Sequence, residues 1–258
     1  MLVIGEKINV ISNTIGEAMK ERNAEPIIEL AKAQVEAGAN MLDLNIGPGT
    51  KDGSARMEWL VKTVQEVVDV PCSLDSLNPE AIEAGLKVHR GQALINSTSG
   101  EKERLDILLP LAREYNAKII GLTMTKGIPR DATERAATAV DIMTATMEAG
   151  IPLDHLYLDP LVLPVKVAQE QAPAVLDAVM LFRQLNDPPL KTVVGLSNCS
   201  NGVFGETKHR IDRVFLTMLM ALGLDAAIMD PLDKELMNSV KTVSVFRGDI
   251  LYAQSYLE

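Results

Sequence analysis

Short apolar runs alternate along this chain with longer stretches in which apolar residues recur at helical spacing. The runs fall near residues 2–5, 40–45, 71–75, 92–96, 117–122, 155–159, 192–196 and 225–229, which predicts eight strands. Between them the helical signals are specific. Met57, Leu60, Val61, Val64 and Val68 form one apolar stripe behind Ser54, a residue suited to cap the helix. Asn78 followed by Pro79 reads as a cap and a first helical position. Asp131 with Glu134 has the spacing of a capping box ahead of the helix that leads to Gly150.

Three stretches repeat one arrangement: "VEAGANMLDLN", "MEAGIPLDHLYLDP" and "MALGLDAAIMD". Each is a helix end, a glycine that can turn left-handed, a short apolar strand and then an acid. Strand–helix repetition with buried apolar strands implies a parallel sheet covered by helices. Eight such units in 258 residues predict a single (β/α)8 TIM barrel, one domain over 1–258, with the segment after 232 supplying the last helix and one more. A doubly wound open sheet is the alternative, and neither GxGxxG nor a Walker motif supports it.

Composition narrows the function classes. Hydrophobic residues make up 47% and charged residues 23%, ordinary for a soluble globular protein with a large core. No apolar run is long enough to span a bilayer, and "LVIGE" follows the first residue with no basic segment before it. A cytoplasmic protein with no membrane partner is expected, with Cys72 and Cys199 as reduced thiols. The net charge of −10 and the 3% aromatic content offer no basic face or stacking set, which argues against nucleic acid. Met218, Met220 and Met229 are expected as core filler, and Trp59 and Cys72 as packing residues. The stretch Lys126–Asp131 reads either as a surface loop or as a contact for a ligand tail.

In such a barrel, chemistry sits at the C-terminal strand ends. Those ends carry Glu6 and Asn9, then Asp43 and Asn45, Asp75 and Ser76, Asn96 with Ser97 and Thr98, Thr123 and Met124, Asp159, Ser197 and Asn198, and Asp230. Any one of these could simply cap the next helix. As a ring, Asp43, Asp75, Asn96, Asp159 and Asn198 come from five strands and should point into one bowl. His89, His155 and His209 are too scattered for a zinc site, and His155 begins a strand at the end opposite the rim. No lysine stands where a Schiff base would need it, no serine sits in a nucleophile elbow, and no glycine-rich phosphate loop follows strands 7 and 8. The acids could bind a divalent metal, but the interspersed carboxamides favour a neutral hydrogen-bonding ligand. A carboxylate accepts two parallel N–H bonds from an aminopyrimidinone edge, and a carboxamide answers both a donor and an acceptor. That is the edge of a pterin.

The motifs "GEKIN", "LDLNIGPG", "SLDS", "LINST", "LTM", "YLDPLVLP" and "GLSNCSNG", in this order and spacing, resemble the methyltetrahydrofolate:corrinoid protein methyltransferases. Those are pterin-binding barrels related to the folate domain of cobalamin-dependent methionine synthase and to dihydropteroate synthase. The resemblance covers essentially the whole chain. It implies that Asp75, Asn96 and Asp159 hold the pterin ring of 5-methyltetrahydrofolate or tetrahydrofolate, and that Asn198 bonds near N5, the methyl-bearing nitrogen. Gly195, Ser197 and Met124 would line the pocket. The family's "NRPLINRTF" stretch corresponds to "TKHRIDRVF" here, with Arg213 at the second arginine and Lys208 near the first. Asn198 and Asp75 are the candidate catalytic residues, Asn198 stabilising charge at N5 and Asp75 or an ordered water supplying its proton; no metal is implied, and a homodimer is.

No Asp-x-His-x-x-Gly loop is present, so the corrinoid should arrive on a separate protein. Dihydropteroate synthase is the weaker reading. Its loops after strands 1 and 2 are replaced by "NVISNTIGE" and "GPGTKDG", the second lacking the arginine that would meet pyrophosphate. A non-catalytic folate-binding protein is the rival of another class.

Overall fold

The computed structural model describes residues 1–48 and 52–257. Gly49, Thr50 and Lys51, the middle of "GPGTKDG", lie outside the described residues. Eight parallel strands close into a barrel in sequence order: β1 (Leu2–Asn9), β2 (Met41–Asn45), β3 (Cys72–Asp75), β4 (Leu94–Ser99), β5 (Lys118–Leu122), β6 (Leu156–Asp159), β7 (Lys191–Gly195) and β8 (Ala226–Met229). β8 pairs back onto β1. Helices α1 (Asn13–Glu21) and α2 (Glu25–Glu36) follow β1. Then come α3 (Gly53–Gln65), α4 (Pro79–Val88), α5 (Lys102–Glu114) and α6 (Ala132–Glu148), one after each of the next four strands. α7 (Val165–Ala168) and α8 (Gln171–Gln184) follow β6, α9 (Glu206–Ala221) follows β7, and α10 (Lys234–Phe246) and α11 (Gln254–Leu257) follow β8. Among the described residues no helix is long and apolar enough to cross a membrane.

The local signals behave as their chemistry requires, with exceptions. Gly38, Gly150 and Gly223 end the helices of the three repeated stretches at φ of 105°, 72° and 97°. Asn78 Oδ1 accepts from the Glu80 amide and Asp131 Oδ1 from the Glu134 amide. The box at Asp131 is only half formed, because the Glu134 carboxylate turns back to Arg130. Ser54 is not a cap. Its helix begins one residue earlier, with Asp52 at the cap position and the Asp52 carboxylate drawn to Arg22 at 2.7 Å. Met218 is not core: it is 46% exposed on α9, whereas Met220 and Met229 are buried. Cys72 is buried, and Trp59 packs against the core with the Arg22 guanidinium 5.3 Å from its ring centre. His155 ends a short 3-10 turn ahead of β6 rather than beginning the strand, and its ring meets Gln92 at 3.1 Å.

The interior of the barrel is sealed by one apolar layer: Ile4, Met41, Leu94, Ile120, Tyr157, Val193 and Ala226, each from a different strand. Burial of each larger side chain contributes roughly 1.5–3 kcal/mol. Two wider apolar clusters fill the space between strands and helices.

Two irregularities re-aim side chains at the upper end of the barrel. β1 runs four residues beyond the expected end, to Asn9, because pairing with β2 resumes at Ile8 and Asn9 after the polar Glu6 and Lys7. The register against β2 shifts between Gly5 and Ile8, a bulge. The Lys7 amide donates instead to Oε1 of the buried Gln34 on α2, at 3.0 Å. A side chain at Gly5 would collide with that same oxygen, which accounts for the glycine. A second shift lies in β4 between Ile95 and Thr98, where the Asn96–Ser97 peptide is cis.

The segment after β6 is held by Arg135 of α6, which is fully buried. Its Nε donates to Pro160 O at 2.6 Å, its Nη1 to Asp131 O at 3.1 Å and its Nη2 to Gln171 Oε1 at 2.8 Å. Leu161, next in the chain, sits at φ 63°, a left-handed geometry that costs a non-glycine residue about 1–2 kcal/mol. Removing Arg135 leaves several buried carbonyls unpaired, each costing about 1–3 kcal/mol. Arg135→Leu is therefore expected to destabilise the fold by about 3 kcal/mol or more in chemical denaturation. A loss below about 1 kcal/mol would show that the segment holds itself.

Candidate active site

Side chains alternate along a strand, so two residues above the apolar layer each strand faces inward again. The positions reached are Glu6 on β1, Asp43 on β2, Asn96 on β4, Leu122 on β5, Asp159 on β6, Gly195 on β7 and Ile228 on β8. Asp75, two above Ser73 on β3, completes the ring. All eight line one cavity of about 370 Å³, walled also by Asn45 of β2 and Ser97 of β4 and by Leu161, Ser197 and Asn198 beyond the ends of β6 and β7. Asn96 and Ser97 are consecutive yet both face the cavity, which the register shift in β4 permits.

Among the described residues no lysine or arginine lines this cavity. Lys7, on β1 beside it, is turned to Asp230 Oδ2 at 2.8 Å. Four carboxyl groups thus face the cavity with no cation among its described lining residues, and each is held above its ordinary range. Burial, then the nearby Asp43 charge, pushes Asp75 up to about 8. Burial raises Asp159 to about 7, Glu6 to about 7 and Asp43 to about 6, opposed in each case by hydrogen bonds to the charged form.

The hydrogen bonds show which atoms remain for a ligand. Asp43 Oδ1 accepts from Ser73 Oγ at 2.7 Å and from Asn96 Nδ2 at 2.9 Å. With Nδ2 so engaged, Asn96 presents its Oδ1 to the cavity. Asn45 is a brace: its Nδ2 donates to Asp75 Oδ2 and its Oδ1 accepts from the Gly47 amide at 2.9 Å. Asp75 keeps Oδ1. Asp159 Oδ1 accepts from the Leu161 amide at 2.8 Å, leaving Oδ2. Three carbonyl or carboxyl oxygens from three strands thereby face one small cavity, a pattern suited to a flat ring rimmed with N–H groups.

Asn198 closes one side, and its side-chain amide makes no hydrogen bond to another described residue. A Cβ at Gly195 would come within 2.9 Å of Asn198 Nδ2, so glycine there makes room for the amide. Ser197 Oγ donates to Glu6 Oε1 at 2.6 Å.

The structure brings together Asp75, Asn96, Asp159, Gly195, Ser197 and Asn198. It does not bring Met124, Lys208 or Arg213 to the cavity lining. Met124 lines a separate cavity with Gly127 and Pro129 of the loop after β5. Lys208 and Arg213 lie on α9 and are engaged there, Lys208 with Asp212 at 2.9 Å and Arg213 with Glu206 at 3.3 Å. Sequence motifs mark these three by position in the chain, but α9 turns its cations toward its own acids. Asp43, expected in the ring, is in it, and Glu6 and Asn45 are full members as well, although only their places at strand ends signalled it. Counting by two from the apolar layer would have found Glu6.

A wider cavity of about 760 Å³ opens beside the first, between β1, α1 and α2. It shares Glu6, Asn9, Ile11, Ser197 and Asn198 with it.

The family model of pterin binding enzymes matches residues 5–230. The chain belongs to that family. Among similar proteins of this pterin binding enzyme is a methylcorrinoid:tetrahydrofolate methyltransferase of Eubacterium limosum, 26% identical over 259 residues that cover 99% of this chain and 94% of the relative. A methionine synthase of Mycobacterium tuberculosis is 29% identical over 240 residues, 89% of this chain but 20% of the relative. Solved structures with the same fold include a Yersinia pestis DHPS with a pterine–sulfa conjugate (TM-score 0.72, 17% identity, covering 96% of this chain and 94% of that one). Another is the dihydropteroate synthase of Thermus thermophilus (TM-score 0.69, 20% identity, covering 97% and 94%).

The buried acids tie stability to pH. A carboxyl whose folded pKa lies above its unfolded value keeps a proton that the unfolded chain has lost, so stability falls as pH rises between the two values. His89, held low by burial, acts in the opposite sense, but only up to its ordinary range near about 6.5. The melting temperature of the unliganded enzyme is therefore expected to fall between about pH 6.5 and 8, and Asp75→Asn to flatten that fall. A midpoint that is level or rises with pH in the wild type would contradict the picture of uncompensated burial.

Proposed function

We propose that this pterin binding enzyme transfers a methyl group between N5 of tetrahydrofolate and the cobalt of a corrinoid carried on a separate protein. The observation that carries the reading is the uncommitted amide of Asn198 at the edge of a cavity that already offers oxygens of Asp75, Asn96 and Asp159. A ring with N–H groups at one end is held by the three oxygens, and the amide is left for an atom at the other end. The full-length similarity to a methylcorrinoid:tetrahydrofolate methyltransferase supports it. In this reading one barrel domain over residues 1–258 acts in one-carbon metabolism, as a homodimer in the cytoplasm. The wider cavity beside Asn198 leaves that end open to a bulky second partner.

The chemistry sets the roles. A tertiary amine leaves poorly unless N5 gains a proton or a strong hydrogen bond as the C–N bond breaks. The Asn198 amide can stabilise charge developing at N5, an interaction that grows toward the transition state. Asp75, Asn96 and Asp159 bind ground state and transition state alike. One site serves both directions, because a catalyst lowers the same barrier from either side.

Incubation of the purified protein with methyltetrahydrofolate and reduced free cobalamin should yield the spectrum of methylcobalamin. Folate binding without transfer would favour a binding protein instead. Product from p-aminobenzoate and a pterin pyrophosphate would favour the synthase chemistry of the structural neighbours. Asn198→Ala is expected to lower kcat about a hundredfold or more while folate affinity changes little. Equal losses in both would remove its transition-state role. Alanine at Asp75, Asn96 or Asp159 is expected to cost mainly affinity, about 1–3 kcal/mol each by calorimetry.

A further inference from the structure

Glu6 stands where the two cavities meet. Of the five residues that line both, namely Glu6, Asn9, Ile11, Ser197 and Asn198, it is the one whose side chain can exchange a proton near neutral pH. Its Oε1 accepts from Ser197 Oγ at 2.6 Å, which ties it to the residue beside Asn198 and leaves Oε2 to carry a proton. Its chain neighbour Lys7 is engaged with Asp230. The other acids of the cavity have different duties. Asp43 braces Asn96, and Asp75 and Asp159 must act as acceptors while they hold a ring edge. A group holding N–H bonds through a reaction cannot also be its proton donor.

We propose that Glu6 is the proton holder of the methyl transfer, releasing its carboxyl proton toward N5 at the Ser197–Asn198 corner as the methyl group leaves. The proposal rests on the methyl-transfer reading above. The step balances as follows. The N5–CH3 bond breaks and its electron pair stays on nitrogen, where it takes the proton from Glu6. The methyl carbon is bonded by the electron pair of the reduced corrinoid cobalt, which is thereby oxidised by two electrons. Glu6 is left as a carboxylate accepting from Ser197, and water in the wider cavity restores its proton. In the reverse direction Glu6 takes the proton from N5.

The charged surroundings of Glu6 are mixed. Burial is the largest influence and keeps the carboxyl neutral up to about 7. Asp230, after β8, acts the same way, whereas Ser197 on the β7 side, Lys7 on β1 and Lys208 on α9 favour the carboxylate. Asp43, Asp75 and Asp159 face the same cavity from β2, β3 and β6.

The test is the pH dependence of transfer from methyltetrahydrofolate to reduced free cobalamin. For the wild type, kcat should fall as pH rises past about 7, as the store of protons on Glu6 empties. Glu6→Gln keeps the acceptor for Ser197 but cannot release a proton. It should lose about a hundredfold in kcat at neutral pH and show no such limb, with folate affinity within about twofold of wild type. Ser197→Ala removes a hydrogen bond that favours the carboxylate, so its limb should move to higher pH. Infrared titration of the unliganded protein gives a readout free of turnover: the carboxylic C=O absorption that disappears near neutral pH in the wild type should lose one carboxyl's share in Glu6→Gln, the remainder coming from Asp75, Asp159 and Asp43. Glu6→Gln with wild-type turnover and an unmoved limb would overturn the role of Glu6 and leave the methyl-transfer reading intact. A wild type that binds folate but transfers nothing would overturn that reading and the proton role with it.

Discussion

Four carboxyl groups facing one cavity, with no lysine or arginine among its described lining residues, are the constraint on which the rest of this structure depends. Each would be costly to ionise where it stands. The protein tolerates them because every one has at least one hydrogen-bonding neighbour, and because protons can reside on them while the cavity is empty. A ligand edge rich in N–H groups answers the same need by a different route. It supplies the donors that the carboxylates lack, so binding and deprotonation go together. Among the described residues no lysine or arginine lines the cavity, so the acids there are not satisfied in advance by a cation of the lining.

The ring is held by residues whose own hydrogen bonds are spent on bracing it. Ser73 and Asn45 orient the acids of β2 and β3, Gln34 accepts the amide freed by the bulge in β1, and Arg135 clamps the chain after β6. These side chains reach the site from neighbouring strands or from helices outside the barrel. The barrel fixes backbone positions by its closed hydrogen bonding, but amide and carboxyl orientations need such second contacts. The two register shifts serve the same end by turning extra polar residues inward just where the apolar layer stops.

The fold alone does not choose the chemistry. Dihydropteroate synthases share it at 17–20% identity, and proteins that superpose this well can work on one ring system in different ways. In the proposed reaction the chemistry falls at the open side of the pocket. Here that side carries Glu6, Ser197 and Asn198 beside a larger cavity, an arrangement suited to a reaction at one nitrogen that needs both an amide and a proton.

The local pattern of the chain already held the eight strands, their alternation with helices, and the strand-end residues Asp43, Asp75, Asn96, Asp159, Gly195, Ser197 and Asn198, which line one cavity. These are legible because apolar periodicity and glycine-ended helices are local properties, and because a parallel barrel puts its strand ends at one rim. Ser54 as a cap and Met218 as core failed on local competition and on the facing of a helix. Met124, Lys208 and Arg213 share motifs with the site but are engaged elsewhere. It took the folded structure to show that Glu6 and Asn45 belong inside, that Lys7 does not, and which oxygen of each acid is left over. Those choices depend on a bulge and on pairings between strands such as Asn96 with Asp43 and Ser197 with Glu6, 53 and 191 residues apart. Contacts over such separations leave no mark in the local pattern of a chain, because each partner's own neighbourhood is satisfied with or without the other.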